Sequence, residues 1–245
     1  MSTVDWTAWH PQTREPGTEG LRERKKRLTR QQLSDTATEM FLERGFDAVR
    51  VSEIAQACGV SEKTVFNYFP TKESLILDRG ETTMAALRAG LADPDHPPVE
   101  AVLRILSAEL RALTSWIATQ DDPVEAAAKI RRFGTLTRST PSLRAHHRDM
   151  TDRLVTAAAE VLAERTRLSP DDPEPQIAAT ALLGLWPIQS QSLTKHLDGI
   201  RTPTQLQEAV TADVHRAAQL ITTGLASLAD VTHPIEDQEE DATTP

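Results

Sequence analysis

Residues 50–76 read RVSEIAQACGVSEKTVFNYFPTKESLI, and this stretch decides the fold. It divides into two short helices, a tight turn between them and the start of a longer helix. Ile54 and Ala55 are the apolar positions of the first short helix, which Ala57 and Cys58 end. Gly59 falls where a helix stops on a left-handed residue, a conformation that glycine adopts without steric cost. Val60 is expected as a buried plug, and Ser61 as the cap of the next helix through its hydroxyl. Val60 and Val65 bracket that cap at the spacing of a hydrophobic staple. The second helix, Glu62 to Tyr68, exposes Lys63, Thr64, Asn67 and Tyr68, whose polar groups suit base edges and phosphates. The pattern is a helix-turn-helix with its recognition helix second.

Before this stretch, Leu33, Ala37, Met40 and Phe41 fall on one face of a helix, which Gly45 ends ahead of a buried Phe46. The run that leads into that helix holds Arg22, Arg24, Lys25, Lys26, Arg27 and Arg30 against a single Glu23. Beside a helix-turn-helix, such a run is expected to touch phosphates or to reach into the minor groove. After it, Pro70 closes the recognition helix and Thr71-Lys72-Glu73 opens the next, expected to run to about Leu91. Leu75, Ile76, Met84 and Leu87 would form its buried side. A lysine in the first turn of a helix with free N–H groups makes a phosphate site.

The net charge of −9 argues against nucleic acid only until its distribution is read. Residues 22–79 carry eleven basic and nine acidic side chains, residues 80–229 fifteen and eighteen, and residues 230–245 six acids and no base. A polyanion responds to the local field, so the overall charge is no objection. One cysteine in 245 residues excludes an intramolecular disulfide and suits a reducing cytoplasm. No segment approaches the roughly eighteen uninterrupted apolar residues of a membrane span, and residues 1–17 lack the apolar core of a secretory signal.

The remainder is punctuated by proline. Breakers at 94, 97, 98, 123, 141, 170, 173, 175, 187 and 203 leave helices near 98–120, 123–138, 141–167, 174–196 and 203–229. The last carries Leu206, Val210, Val214, Ala217, Ile221, Leu225 and Leu228 as one long stripe. The one before it is apolar nearly all round and needs cover on every side, which in a body this small implies a second subunit. Gly184 and Pro187 within it either kink it or mark a boundary. Residues 1–20, with Trp6 and Trp9, are expected as a flexible tail, and residues 230–245 as a disordered acidic one. Residues 21–70 then form a DNA-binding head and residues 71–229 a helical body.

Two motifs carry a resemblance to a known family. The segment G-V-S-x-x-T-V-F-x-Y-F-P-x-K-E-x-L from Gly59 to Leu75, preceded by F-x-E-R-G-F from Phe41 to Phe46, resembles the TetR family of bacterial transcriptional regulators. The likeness covers about Arg22 to Leu77, and residues 131–197 resemble the effector domain of one actinobacterial branch. It implies an all-α homodimer: a three-helix head on a near-palindromic double-stranded operator, and a helical body that holds a small-molecule effector. The two final long helices would pair with their copies, and the helix from Thr71 would link head to body. The DNA contacts implied are Arg30, Arg50, Ser52, Ser61, Lys63, Thr64, Asn67, Tyr68 and Lys72. Three positions depart from the family pattern. Phe66 stands where a tyrosine commonly gives its hydroxyl to a phosphate, Tyr68 where histidine is frequent, and Arg50 where threonine is common.

Trp116, Phe133, Met150 and Trp186 are the large adaptable side chains of the body, with Arg132, His147 and Gln189 as polar candidates near them. They line an effector cavity, or they are ordinary helical core. Cys58 is expected as a small buried residue rather than a thiol switch. The seven histidines show no metal-ligand spacing, and adjacent His146 and His147 diverge by about 100° on a helix. No phosphate loop, nucleophile elbow, H-E-x-x-H or CxxC is present, so neither enzyme activity, cofactor nor metal is expected. The function expected is that of a cytoplasmic, ligand-released repressor. A ligand-dependent activator of the same fold, or a DNA-binding module without an effector, are the alternatives.

Overall fold

Proline and glycine set most of the helix boundaries. The computed structural model describes residues 20–78, 80–197 and 201–225. In order, the helices are α1 (Leu21–Arg44), α2 (Val51–Ala57), α3 (Glu62–Tyr68), α4 (Gly80–Ala92), α5 (Pro98–Ala118), α6 (Pro123–Ser139), α7 (Pro141–Thr166), α8 (Pro173–Leu183), α9 (Leu185–His196) and α10 (Pro203–Leu225). A three-residue 3-10 turn, Glu73–Leu75, lies between α3 and α4. No strand occurs among the described residues, so the fold is all-α. Five of the helices, α5 to α8 and α10, begin on proline. There its missing N–H is one the first turn leaves unpaired anyway, and its fixed φ already suits a helix. Gly45 (φ 86°) ends α1, and Gly59 (φ 67°) turns the chain between α2 and α3. Both are left-handed positions that a Cβ would strain.

Two apolar clusters organise the chain. The first holds Leu33, Ala37, Phe41, Phe46, Val49, Ile54, Ala55, Val65, Phe69, Leu75 and Ile76 of the N-terminal helices. Leu143, from the first turn of α7, is fully buried in the same cluster. The second is the body, in which α4 and α8 pack on α7, and α5 and α9 pack on α10. Phe133 of α6 packs against both clusters. Head and body are therefore joined through the α6–α7 corner as well as through the approach to α4.

Three expectations are corrected. The helix expected from Thr71 to Leu91 is broken: the 3-10 turn stops at Leu75 and α4 starts at Gly80. Thr71 and Ser74 close that turn on themselves, each backbone N–H donating to the other's hydroxyl at 3.2 Å. Asp78 is then drawn to Arg30, away from a helical path, and Gly80 is a poor helix interior. The helix expected over 174–196 divides at Gly184, where a Cβ would meet the Ala181 carbonyl oxygen at 3.0 Å. Pro187 lies in the first turn of α9, where proline is tolerated. Val60, expected as a buried plug, is half-buried. The tail residues, with Trp6 and Trp9, and Leu228 lie outside the described residues.

Candidate nucleic-acid interface

The face of α3 is set from beneath. Val65 and Phe69, four apart, are fully buried in the head, each worth about 1.5–3 kcal/mol of burial. Ser61 caps the helix by accepting from the Thr64 backbone N–H at 3.1 Å, and its hydroxyl lies 2.8 Å from that of Thr64. With the apolar side fixed downward, Glu62, Lys63, Phe66 and Asn67 face solvent, while Thr64 and Tyr68 are half-buried. Phe66 is 45% exposed, a large apolar ring on an otherwise polar face.

The flanking helix is held by charge. Glu53 accepts the backbone N–H of Arg50 at 2.8 Å and is paired with Arg44 at 2.8 Å. These contacts, the backbone hydrogen bond first, hold its carboxyl below the usual range. Arg50 and Ser52 stay exposed at the start of α2. The basic run is the first turns of α1 itself rather than a segment leading into it, with Arg22, Arg24, Lys25 and Lys26 exposed along the helix.

Two expected contacts face elsewhere. Arg30 donates through Nε to Asp78 at 2.7 Å, through Nη2 to the other oxygen of that carboxylate, and through Nη1 to the Tyr68 carbonyl at 2.7 Å. Its guanidinium also lies 4.6 Å from the Phe69 ring centroid. A side chain so engaged ties α1, the end of α3 and the approach to α4 together. Burial pushes the Asp78 carboxyl up, against the lowering pull of Arg30. Lys72 likewise turns inward, donating to the Phe46 carbonyl at 2.6 Å with its ammonium 4.3 Å from the Phe46 ring centroid. Burial lowers its pKa. The helix N-terminus expected behind Lys72 is only a three-residue turn and supplies little dipole.

Of the seven residues expected around an effector cavity, Trp116 belongs to the body core, and Phe133, Met150 and Trp186 pack against that same cluster. Trp116 is buried, and Phe133, Met150, Trp186 and Gln189 are half-buried. Arg132 is exposed and paired with Glu125 at 2.7 Å, and His147 is exposed on α7. A shallow cleft elsewhere, where the ends of α5 and α9 meet the starts of α6 and α10, is lined by Ile117, Val124, Ala127, His196, Leu197 and Leu206 and includes none of the seven. Cys58 is half-buried at the end of α2, its Sγ 3.8 Å from the Gln32 carbonyl. No group of three or more potential metal ligands occurs among the described residues.

Sequence reasoning missed Asp78 as the partner of Arg30. It also missed a cluster in which Asp213 of α10 accepts from Ser192 Oγ at 2.8 Å and meets His196 Nε2 at 2.9 Å on α9. Both are pairings between segments distant in sequence, and neither has a local signature.

Residues 33–78 match the description "Bacterial regulatory proteins, tetR family", and residues 122–230 match the MftR C-terminal domain. The HTH-type transcriptional regulator TcmR of Streptomyces glaucescens is 31% identical over 164 residues, covering 66% of this chain and 71% of that one. The putative mycofactocin biosynthesis transcriptional regulator MftR of Mycobacterium tuberculosis is 28% identical over 162 residues, covering 66% and 78%. Among solved structures, native NalD of Pseudomonas aeruginosa is similar at 24% identity and a TM-score of 0.47, over 78% of this chain and 97% of that one. With a capped second helix in the helix-turn-helix, family models matched over residues 33–78 and 122–230, and a relative 31% identical of which the chain covers 71%, the chain belongs to the TetR family of DNA-binding transcriptional regulators.

Proposed function

We propose that the chain is a ligand-released repressor that binds a near-palindromic operator as a homodimer. In this reading residues 21–70 are the DNA-binding head and residues 71–229 the effector-binding and dimerising body of a cytoplasmic protein. The observation that carries it is α3, whose apolar side is fully buried while Lys63, Phe66 and Asn67 stand clear of the head. A helix held this way lays its exposed face into the major groove. Asn67 then pairs with adenine, Lys63 with guanine or a phosphate, and Phe66 with the methyl of a thymine. Arg50, Ser52, Ser61, Thr64 and Tyr68 hold the flanking phosphates, with the exposed cations at the start of α1 extending the same track.

Release follows from the way head and body meet. An effector in the body moves the recognition helices off the one-turn spacing of successive major grooves when it binds one arrangement better than the other. Phe133, in contact with both clusters, is the residue of the expected pocket best placed to transmit such a change.

Selection of duplexes from a random pool, followed by footprinting on the genome, tests the reading. The expected product is an inverted repeat with half-sites about one helical turn apart. Recovery of single, unpaired half-sites would refute the homodimer, and recovery of no preferred sequence would refute the operator-binding role.

A further inference from the structure

Arg30 joins three segments that the sequence keeps far apart. It stands in the third turn of α1, its Nη1 meets the carbonyl of Tyr68, the last residue of α3, and its Nε and Nη2 fork onto Asp78, two residues before α4. The ring of Phe69, fully buried just past the end of α3, lies under the guanidinium at 4.6 Å. The last carbonyls of a helix have no partner within it, and a cation placed there also complements the helix dipole. A planar five-donor fork is the side chain that can serve a carbonyl and a carboxylate at once, which an ammonium cannot do with the same geometry.

We propose that Arg30 is a positioning residue for operator recognition. With Asp78 as its partner, it fixes the C-terminal end of α3 against α1 and against the approach to α4, and it makes no phosphate contact. The inference rests on the reading of α3 as the helix that enters the groove. It assigns Asp78, an acid in the head of a DNA-binding protein, a favourable role where simple electrostatics gives it a repulsive one. It also joins the recognition helix to α4, whose far half is held to α7. There Arg165 donates to the carbonyls of Leu91 and Asp93, and Arg88 pairs with Glu160.

The test compares Arg30→Ala, Arg30→Lys, Asp78→Asn and the double variant Arg30→Ala/Asp78→Ala with the wild-type chain. The probes are the duplex that the wild-type protein selects from a random pool and a scrambled duplex of the same length, titrated across a salt series, with thermal melting as a control on folding. Each single variant should bind the selected duplex about tenfold more weakly or worse while holding the scrambled duplex within about twofold, because pose rather than charge is lost. Arg30→Lys, which keeps the charge, should fail like Arg30→Ala, and the double variant should be no weaker than Arg30→Ala alone, as expected of one coupled pair. The slope of log K against log salt should stay at the wild-type value for Asp78→Asn and both Arg30 variants.

A slope reduced by about 0.9 in Arg30→Ala, with Asp78→Asn unchanged or tighter, makes Arg30 a phosphate contact and overturns the proposal. Equal losses on both duplexes, or lower melting temperatures with the preference intact, overturn it in favour of a purely structural role. Failure of the wild-type protein to select any sequence removes the operator reading itself and is visible before any variant is made.

Discussion

Phe66 carries no hydroxyl, and on α3 that absence narrows what the residue can read. An aromatic ring 45% exposed on a groove-facing helix finds little apolar surface in the major groove apart from the C5-methyl of thymine. Replacing thymine by uracil deletes that methyl alone, worth about 0.8 kcal/mol or a factor of about four. A scan of uracil through the selected duplex should therefore show one sensitive thymine in each half-site for the wild-type chain and none at that place for Phe66→Ala. Equal sensitivity in both proteins would leave Phe66 without a base to read. Caps and turns at this scale were legible because they are local: Gly59 has the positive φ expected of it, and Ser61 caps through its hydroxyl. The inward partners of Arg30 and Lys72, Asp78 and Phe46, were not legible because they lie 48 and 26 residues away. A cation beside a DNA-binding motif looks the same in sequence whether it faces phosphate or a carbonyl.

Element boundaries followed proline closely, since its missing N–H and fixed φ act within one turn. They failed where tertiary contacts decide, as between Leu75 and Gly80. The packing of α9 on α10 shows what periodicity cannot display. Asp213 is 15% exposed and receives Ser192 Oγ, itself buried, and His196, with Arg216 and, at 3.8 Å, Lys195 on its outer side. The hydrogen bonds from Ser192 and His196 hold its carboxyl well below the ordinary range, and the cations add to this. A carboxyl whose folded pKa is depressed stabilises the fold above its ordinary pKa, and that stabilisation is lost as pH falls towards the lower folded value. Asp213→Ala should thus lower stability by about 1–3 kcal/mol at neutral pH, since it removes a carboxylate that Ser192, His196 and the flanking cations stabilise in the folded state. The gap between variant and wild type should close as pH falls below about 4. Urea unfolding of both proteins across that range is the measurement; a gap that persists at acid pH would mean the loss is one of packing, not charge.

At the scale of the whole molecule, a single chain leaves apolar surface that its own helices do not cover. Ile177 on α8 is 61% exposed, Ile188 on α9 36% and Leu220 on α10 78%, on three helices that pack on one another. The all-round apolar character of residues 177–188 was plain in the sequence, but which side the chain itself would cover was not. The fold covers one side with Ala178, Ala179, Leu182, Leu183 and Leu185, and leaves the other open. A stable interface needs roughly 800 Å² from each partner, and its core is depleted of charge, so in the proposed homodimer these exposed apolar residues are the expected docking surface for a second copy. Glutamate in place of both Ile177 and Leu220 would bury charge in the apolar faces that two copies would bring together across a two-fold axis. The Ile177→Glu/Leu220→Glu chain should run as a monomer in light scattering while keeping its helical circular dichroism. Because operator binding gains from two linked heads, its affinity for the selected inverted repeat should fall by about a hundredfold or more. Its affinity for one isolated half-site should stay near that of the wild type. A variant that remains dimeric would place the interface elsewhere, and a monomer that still holds the inverted repeat at full strength would show that the heads read their half-sites independently.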